Sequence, residues 1–139
     1  MVKAAVLVDS RGGHTRSVAS AIAEELGVNV GDISQPLPDA AILFLGSGMY
    51  GTGPGLLMNR LLREGTFTGR KVALFATASY PGDGEKMLGS MAEALEKKGA
   101  TILGAADARG RVVLVRYRRP RPEDLAGARQ WAREIAGKG

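Results

Sequence analysis

The chain has 139 residues, 45% of them apolar, which is enough for one well-packed core and too little for two. It has no cysteine and one histidine, which excludes disulfides, thiolate catalysis, sulfur-bound metals and a histidine metal cluster. With 19 basic and 14 acidic residues, the formal net charge is +5.

We expect a single domain over residues 1–139, located in the cytoplasm. The first apolar run meets Asp9 too early for a signal peptide, and no apolar stretch is long enough to span a membrane. We found no internal repeat, linker or low-complexity stretch. Any redox activity would therefore depend on a bound cofactor, because the chain lacks thiols.

The first predicted strand runs into a glycine-rich turn that opens a helix. Residues 4–8 are apolar, and residues 10–15 read Ser-Arg-Gly-Gly-His-Thr. Such a junction gathers unpaired backbone N–H groups at a helix N-terminus, and the Ser10 and Thr15 hydroxyls add donors, so the sequence predicts a phosphate site. The turn lacks the patterns of nucleoside-triphosphate and dinucleotide loops. The alternative is an ordinary turn in which Ser10 or Thr15 caps the helix.

Strand-like and helix-like segments alternate along the rest of the chain. The predicted strands are residues 4–8, 28–33, 40–45, 72–76 and 100–103, with a further extended segment at 112–115. Four helices are predicted from apolar faces at Val18, Ile22 and Leu26; Leu57, Leu61 and Leu62; Met87, Leu88, Met91 and Leu95; and Leu125, Ala128, Trp131, Ala132 and Ile135. We assign the methionines and Trp131 to the core. The alternation indicates an α/β fold, a doubly wound parallel sheet between two layers of helices.

The loops after the third and fourth strands are expected to complete the binding site, because ligands of doubly wound sheets lie beyond the carboxyl ends of the strands. Residues 46–54 read Gly-Ser-Gly-Met-Tyr-Gly-Thr-Gly-Pro, and residues 77–84 read Thr-Ala-Ser-Tyr-Pro-Gly-Asp-Gly. Each loop holds one tyrosine, Tyr50 or Tyr80. Two aromatic rings beside a phosphate site suit a flat phosphate ester such as flavin mononucleotide, FMN. Alternatively, both tyrosines are ordinary amphipathic residues at loop tips.

A basic segment precedes the last predicted helix. Residues 109–121 contain six arginines and no acidic residue, which is suited to an acidic protein partner, a nucleic acid or a membrane surface. A solvated loop with dispersed charge is the favoured interpretation. Nucleic-acid binding is not expected, because Tyr117 is the only aromatic residue among the arginines.

The loops resemble those of the flavodoxins, and the resemblance covers nearly the whole chain. Ser10, Gly13 and Thr15 match the family's phosphate pattern Thr/Ser-x-Thr-Gly-x-Thr, in which Gly12 replaces the middle threonine. The segment 46–51 is similar to the family's Gly-x-Ser-x-Trp-Gly, with tyrosine at the aromatic position and glycine in place of the serine. The third loop keeps the family's small residues, tyrosine and Gly-Asp in a different order.

The resemblance implies a three-layer flavodoxin-like fold with five parallel strands in the order 2-1-3-4-5, and FMN as the cofactor. Tyr50 and Tyr80 would cover the two faces of the flavin, and the Gly51 peptide would offer a hydrogen bond to flavin N5. The cofactor-binding residues implied are Ser10, Arg11, Gly12, Gly13, His14, Thr15, Gly48, Met49, Tyr50, Gly51, Ala78, Ser79, Tyr80, Gly82 and Asp83. No catalytic residue and no metal ligand are implied.

Three functions remain open at this point. The first is an FMN-binding electron carrier that exchanges electrons with a reductase and an acceptor protein. The second is a small FMN-dependent oxidoreductase of the quinone or protoporphyrinogen type, and the third is a flavodoxin-like binding module without cofactor. The carrier is favoured because the second and third loops offer no evident acid or base beyond Asp83. A phospho-acceptor receiver domain is excluded, because Gly46 and Ser47 stand where its aspartate would be.

Overall fold

The computed structural model describes residues 3–9, 13–33, 36–50, 53–77, 83–107 and 125–138. The strands are β1 (Ala4–Asp9), β2 (Val30–Asp32), β3 (Ile42–Tyr50), β4 (Gly53–Pro54), β5 (Lys71–Thr77) and β6 (Thr101–Asp107). The helices are α1 (Gly13–Leu26), α2 (Leu56–Glu64), α3 (Asp83–Lys97) and α4 (Leu125–Lys138).

Five of the strands form one parallel sheet in the order β2-β1-β3-β5-β6, and the two-residue strand β4 pairs antiparallel with the end of β3. Numbered without β4, this order is 2-1-3-4-5, so the predicted topology is confirmed. The order reverses between β1 and β3, and such a reversal opens a crevice beyond the carboxyl ends of the two strands.

Alternate residues of the central strands point to opposite faces of the sheet, and each face carries its own core. On one face Leu43 and Leu45 pack with buried residues of α2 and α3. On the other face Phe44 packs with α1 and α4, and its ring meets that of Trp131 edge-on, with centroids 5.7 Å apart. The predicted burial of the α3 methionines and of Trp131 is confirmed.

Several sequence predictions about local structure are wrong. The strand predicted over residues 100–103 continues, as β6, to Asp107. The third strand does not end at Leu45 but continues through the glycine-rich segment to Tyr50. Its later residues find partners on both sides, in β1 and β5 and then in β4, and these ladder hydrogen bonds outweigh the low strand propensity of glycine. Leu57, predicted on the core face of α2, is exposed, and Met58 is buried in its place.

The predicted extended segment at 112–115 and the arginines of residues 109–121 lie outside the described residues. Among the residues that are described, no helix combines the length and the apolar character needed to cross a bilayer.

Candidate functional site

Three helices begin at the carboxyl edge of the sheet, where β1, β3 and β5 end. The starts of α1, α2 and α3 at Gly13, Leu56 and Asp83 each follow one of these strands along the chain. Helix N-termini carry unpaired N–H groups and partial positive charge, so this edge of the sheet favours anions.

The described part of the chain includes about half of the predicted site. Placed at this edge are Gly13, His14, Thr15, Gly48, Met49, Tyr50 and Asp83. Ser10, Arg11, Gly12, Gly51, Ala78, Ser79, Tyr80 and Gly82 lie outside the described residues.

Thr15 lies in the first turn of α1 and is buried, with 3% of its surface exposed. Its hydroxyl oxygen is 2.5 Å from that of Thr77, the last residue of β5. A hydroxyl has one proton and two lone pairs, so one member of this pair still has a proton to donate to a third group. Thr77 was missed by sequence reasoning. The sequence feature that could have identified Thr77 is a hydroxyl residue at the carboxyl end of a buried strand.

The first turn of α1 contains no acidic residue and carries Arg16. The Arg16 guanidinium forms an ion pair with Asp32, which ends β2 at the same edge of the sheet. The ion pair links α1 to the edge strand and holds the guanidinium near the helix N-terminus. Both side chains are exposed, so we expect the pair to contribute little to folding stability.

Two buried polar side chains connect the start of α2 to the sheet. Asp9 Oδ2 accepts a hydrogen bond of 2.8 Å from the Met58 N–H, and Ser47 Oγ accepts one of 3.0 Å from the Gly55 N–H. The Ser47 hydroxyl in turn donates to the Gly48 carbonyl oxygen at 2.7 Å. The start of α2 is thus attached to both β1 and β3.

No protein-family model and no curated protein sequence matches this chain. Solved structures do match. A flavodoxin from the domain Archaea has a TM-score of 0.73 at 20% sequence identity, with 98% of this chain and 97% of that chain covered. Flavodoxin 2 from Bacillus cereus has a TM-score of 0.72 at 19% identity, with 99% of each chain covered. The two-electron reduced flavodoxin of Megasphaera elsdenii has a TM-score of 0.70 at 17% identity, with 98% of this chain and 99% of that chain covered.

The chain has the flavodoxin fold. The likeness extends over its whole length, as the sequence resemblance predicted, and the expected fold class is confirmed. In this flavodoxin fold the Thr15–Thr77 pair joins the first turn of α1 to the end of β5, and Tyr50 ends β3, the strand between β1 and β5.

Proposed function

We propose that this protein binds FMN at the carboxyl edge of its sheet and carries electrons between partner proteins in the cytoplasm. The observation that carries the proposal is the hydroxyl pair between buried Thr15 and half-buried Thr77 at the N-terminus of α1, in a chain with the flavodoxin fold. When bound, FMN supplies the one-electron and two-electron chemistry that the side chains of this protein lack.

The donors present fit a phosphate monoester. The backbone N–H groups of Gly13, His14 and Thr15 belong to the first turn of α1, where no intrahelical acceptor exists for them. The Thr15 hydroxyl adds a side-chain donor, and no carboxylate lies in this turn to repel the anion. We propose that Ser10 and the backbone of residues 11–12 complete the phosphate site.

We propose that the ring of FMN lies against the second and third loops. Tyr50 is the last residue of β3 and pairs with Gly53 of β4. This backbone position supports Tyr50 covering one face of the ring, with Gly48, Met49 and Gly51 beside it. Residues 78–80 and 82–83 would border the other face, with Tyr80 stacked on it.

The hydrogen bonds of the described site support an electron carrier. Ser47 and Asp9 are buried and bonded to backbone groups, and buried Thr15 and half-buried Thr77 are bonded to each other. A carrier needs no acid or base to act on a substrate. The electron donor and acceptor would be proteins that meet the exposed edge of the flavin.

The first test is an absorption titration of the purified protein with FMN, followed by stepwise anaerobic reduction. Tight binding and two separate one-electron potentials are expected. No binding at micromolar FMN would contradict the proposal, and a single two-electron step would contradict the carrier.

The phosphate site is tested with Thr15→Val, which keeps the side-chain shape and removes the hydroxyl. A hydrogen bond to a charged group contributes about 1.5–3 kcal/mol, so we expect FMN affinity to fall roughly tenfold to a hundredfold. Riboflavin has the same ring without the phosphate, and its affinity should change less than twofold. Thr68→Val is the matched control, since Thr68 is exposed in the turn before β5. Equal losses for FMN and riboflavin would contradict the assignment of Thr15 to phosphate.

A further inference from the structure

Asp9 is an unexpected residue at the end of β1. It is 8% exposed and directly precedes Ser10, the first residue of the proposed phosphate site. A carboxylate there repels a phosphate, and burying a charge has a free-energy cost of its own. A buried carboxylate at this position must therefore be stabilised by an interaction with groups other than the phosphate.

The start of α2 provides that role. Gly55 is the N-cap of α2 and has no side chain with which to accept a hydrogen bond from the first turn. Asp9 accepts the bond instead, from Met58, the third residue of the helix. An N-cap side chain normally bonds the N–H of the second or third helical residue, so Asp9 caps α2 from another strand. Its negative charge also interacts favourably with the helix dipole.

Gly55 and Asp9 fit each other closely. A Cβ atom added to Gly55 would lie 2.6 Å from the Asp9 carboxyl carbon, closer than the 3.0 Å that real Cβ atoms keep. A serine or aspartate at position 55 thus clashes with the carboxylate already present. With Asp9 in place, position 55 has no room for a capping side chain of its own, and the cap is supplied from β1.

Ser47 makes the second attachment. It is fully buried, lies opposite Asp9 in the β1–β3 register, and accepts the hydrogen bond from the Gly55 N–H. Residues 53–54 are paired with Met49 and Tyr50. The paired ends of β3 and β4 are therefore fixed in two ways, by the ladder between them and by the hydrogen bonds of Asp9 and Ser47 to the start of α2.

We propose that Asp9 and Ser47 are positioning residues for the ring half of the FMN site, and that Asp9 acts through α2 rather than on the phosphate. The inference rests on the proposed function, since it requires the paired ends of β3 and β4 to lie against the flavin. Loss of the acceptor at position 9 would release the start of α2, and β4, which directly precedes it, would no longer be fixed against the ring.

The test compares Asp9→Ala with Asp9→Asn. Both variants remove the negative charge, whereas only asparagine keeps an oxygen that accepts the Met58 hydrogen bond. The difference in FMN affinity between the two variants therefore reports the effect of the hydrogen-bond acceptor, because neither variant carries the charge. We expect FMN to bind Asp9→Ala about fivefold more weakly than Asp9→Asn, the change that corresponds to the loss of a typical helix cap. Asp9→Asn should bind FMN at least as tightly as the unmodified protein, because repulsion of the phosphate is removed.

A second readout separates positioning from general loss of stability. Visible circular dichroism of bound FMN, recorded at saturation, reports the asymmetric surroundings of the ring. We expect this spectrum to change in Asp9→Ala and Ser47→Ala, and to be retained in Asp9→Asn. Asp39→Ala is the matched control, because Asp39 is exposed and precedes β3 at the opposite edge of the sheet.

Equal FMN affinities for Asp9→Ala and Asp9→Asn would overturn the inference. So would an unchanged ring spectrum in a weakened Asp9→Ala, because the loss would then come from overall stability. If Asp9→Ala does not fold, Ser47→Ala alone decides, through its ring spectrum and its FMN affinity. Failure of the unmodified protein to bind FMN would instead contradict the proposed function, so the two failures are distinguishable.

Discussion

Gly46 occupies a position in β3 where a hydrogen atom is the only side chain that fits. A Cβ atom there would lie 2.5 Å from Cδ2 of Phe75, a ring that is itself buried in the core. Because Phe75 would have to shift within the packed core, we expect Gly46→Ala to lower the free energy of unfolding by about 1–3 kcal/mol. Urea denaturation of the cofactor-free protein measures this change.

Gly89→Ala is the control for the Gly46 prediction. Gly89 is exposed in α3 and a Cβ atom there meets no atom within 4 Å. Alanine favours a helix over glycine by about 0.8–1.0 kcal/mol, so this substitution should stabilise the protein. If both alanine variants shift stability in the same direction, the steric argument for Gly46 fails.

Individual residues of the candidate site differ in whether they could be predicted from the sequence. Thr15 was predicted as a donor of the phosphate site from its own loop, because the strand, the glycines and the helix start are contiguous in the chain. Thr77 was not predicted, since it meets Thr15 only after the sheet has brought β5 to within two strands of β1. Asp9 could be judged structural from its charge, but its partner Met58 lies 49 residues away.

At the scale of elements, α4 is attached to the rest of the molecule in two ways. Trp131 packs edge-on against Phe44, while Arg129 and Arg133 pair with Glu24 and Glu25 of α1 at 2.5 Å and 3.0 Å. Glu24 and Arg133 are largely exposed, so solvent screens these ion pairs. Packing of the indole ring should therefore dominate the docking of α4.

We predict unequal effects when the two attachments of α4 are removed. Trp131→Ala should lower the free energy of unfolding by about 3–5 kcal/mol, and Trp131→Phe by less. Glu24→Gln should change it by less than about 1 kcal/mol. Circular dichroism during urea denaturation gives all three values. A larger effect for Glu24→Gln than for Trp131→Ala would mean that charge, not packing, holds α4.

The length of β3 illustrates why element boundaries were harder to predict than element order. The alternation of apolar runs and helical faces is visible locally in the sequence, and it predicted the parallel sheet. The order of the strands was implied by the resemblance of the loops to those of the flavodoxins. The segment from Gly46 to Tyr50 has the composition of a loop, yet it continues the strand because β1, β5 and β4 each offer pairing partners. β1 and β5 come from distant parts of the chain and leave no signal in this segment, although β4 follows it closely.

At the scale of the whole molecule, the net charge of +5 distinguishes this protein from acidic electron carriers. Reduction adds negative charge to bound FMN. A unit positive charge about 10 Å away in water favours that charge by roughly 0.4 kcal/mol, or on the order of 20 mV for one electron. Arg60 and Arg63 are exposed on α2, which begins at the edge of the sheet where we place the flavin.

The sign of the salt dependence of the reduction potential follows from this charge. Added salt screens the positive surroundings, so the potential for the second electron should fall by tens of millivolts, on the order of the shift above, as ionic strength rises from about 0.01 M to about 1 M. In an acidic carrier this potential would rise as the ionic strength increases. Potentiometry at fixed pH, with free FMN as the reference, measures the change. Arg60→Glu/Arg63→Glu should reduce the slope, whereas a potential that rises with salt in the unmodified protein would show that local negative groups outweigh the net charge at the flavin.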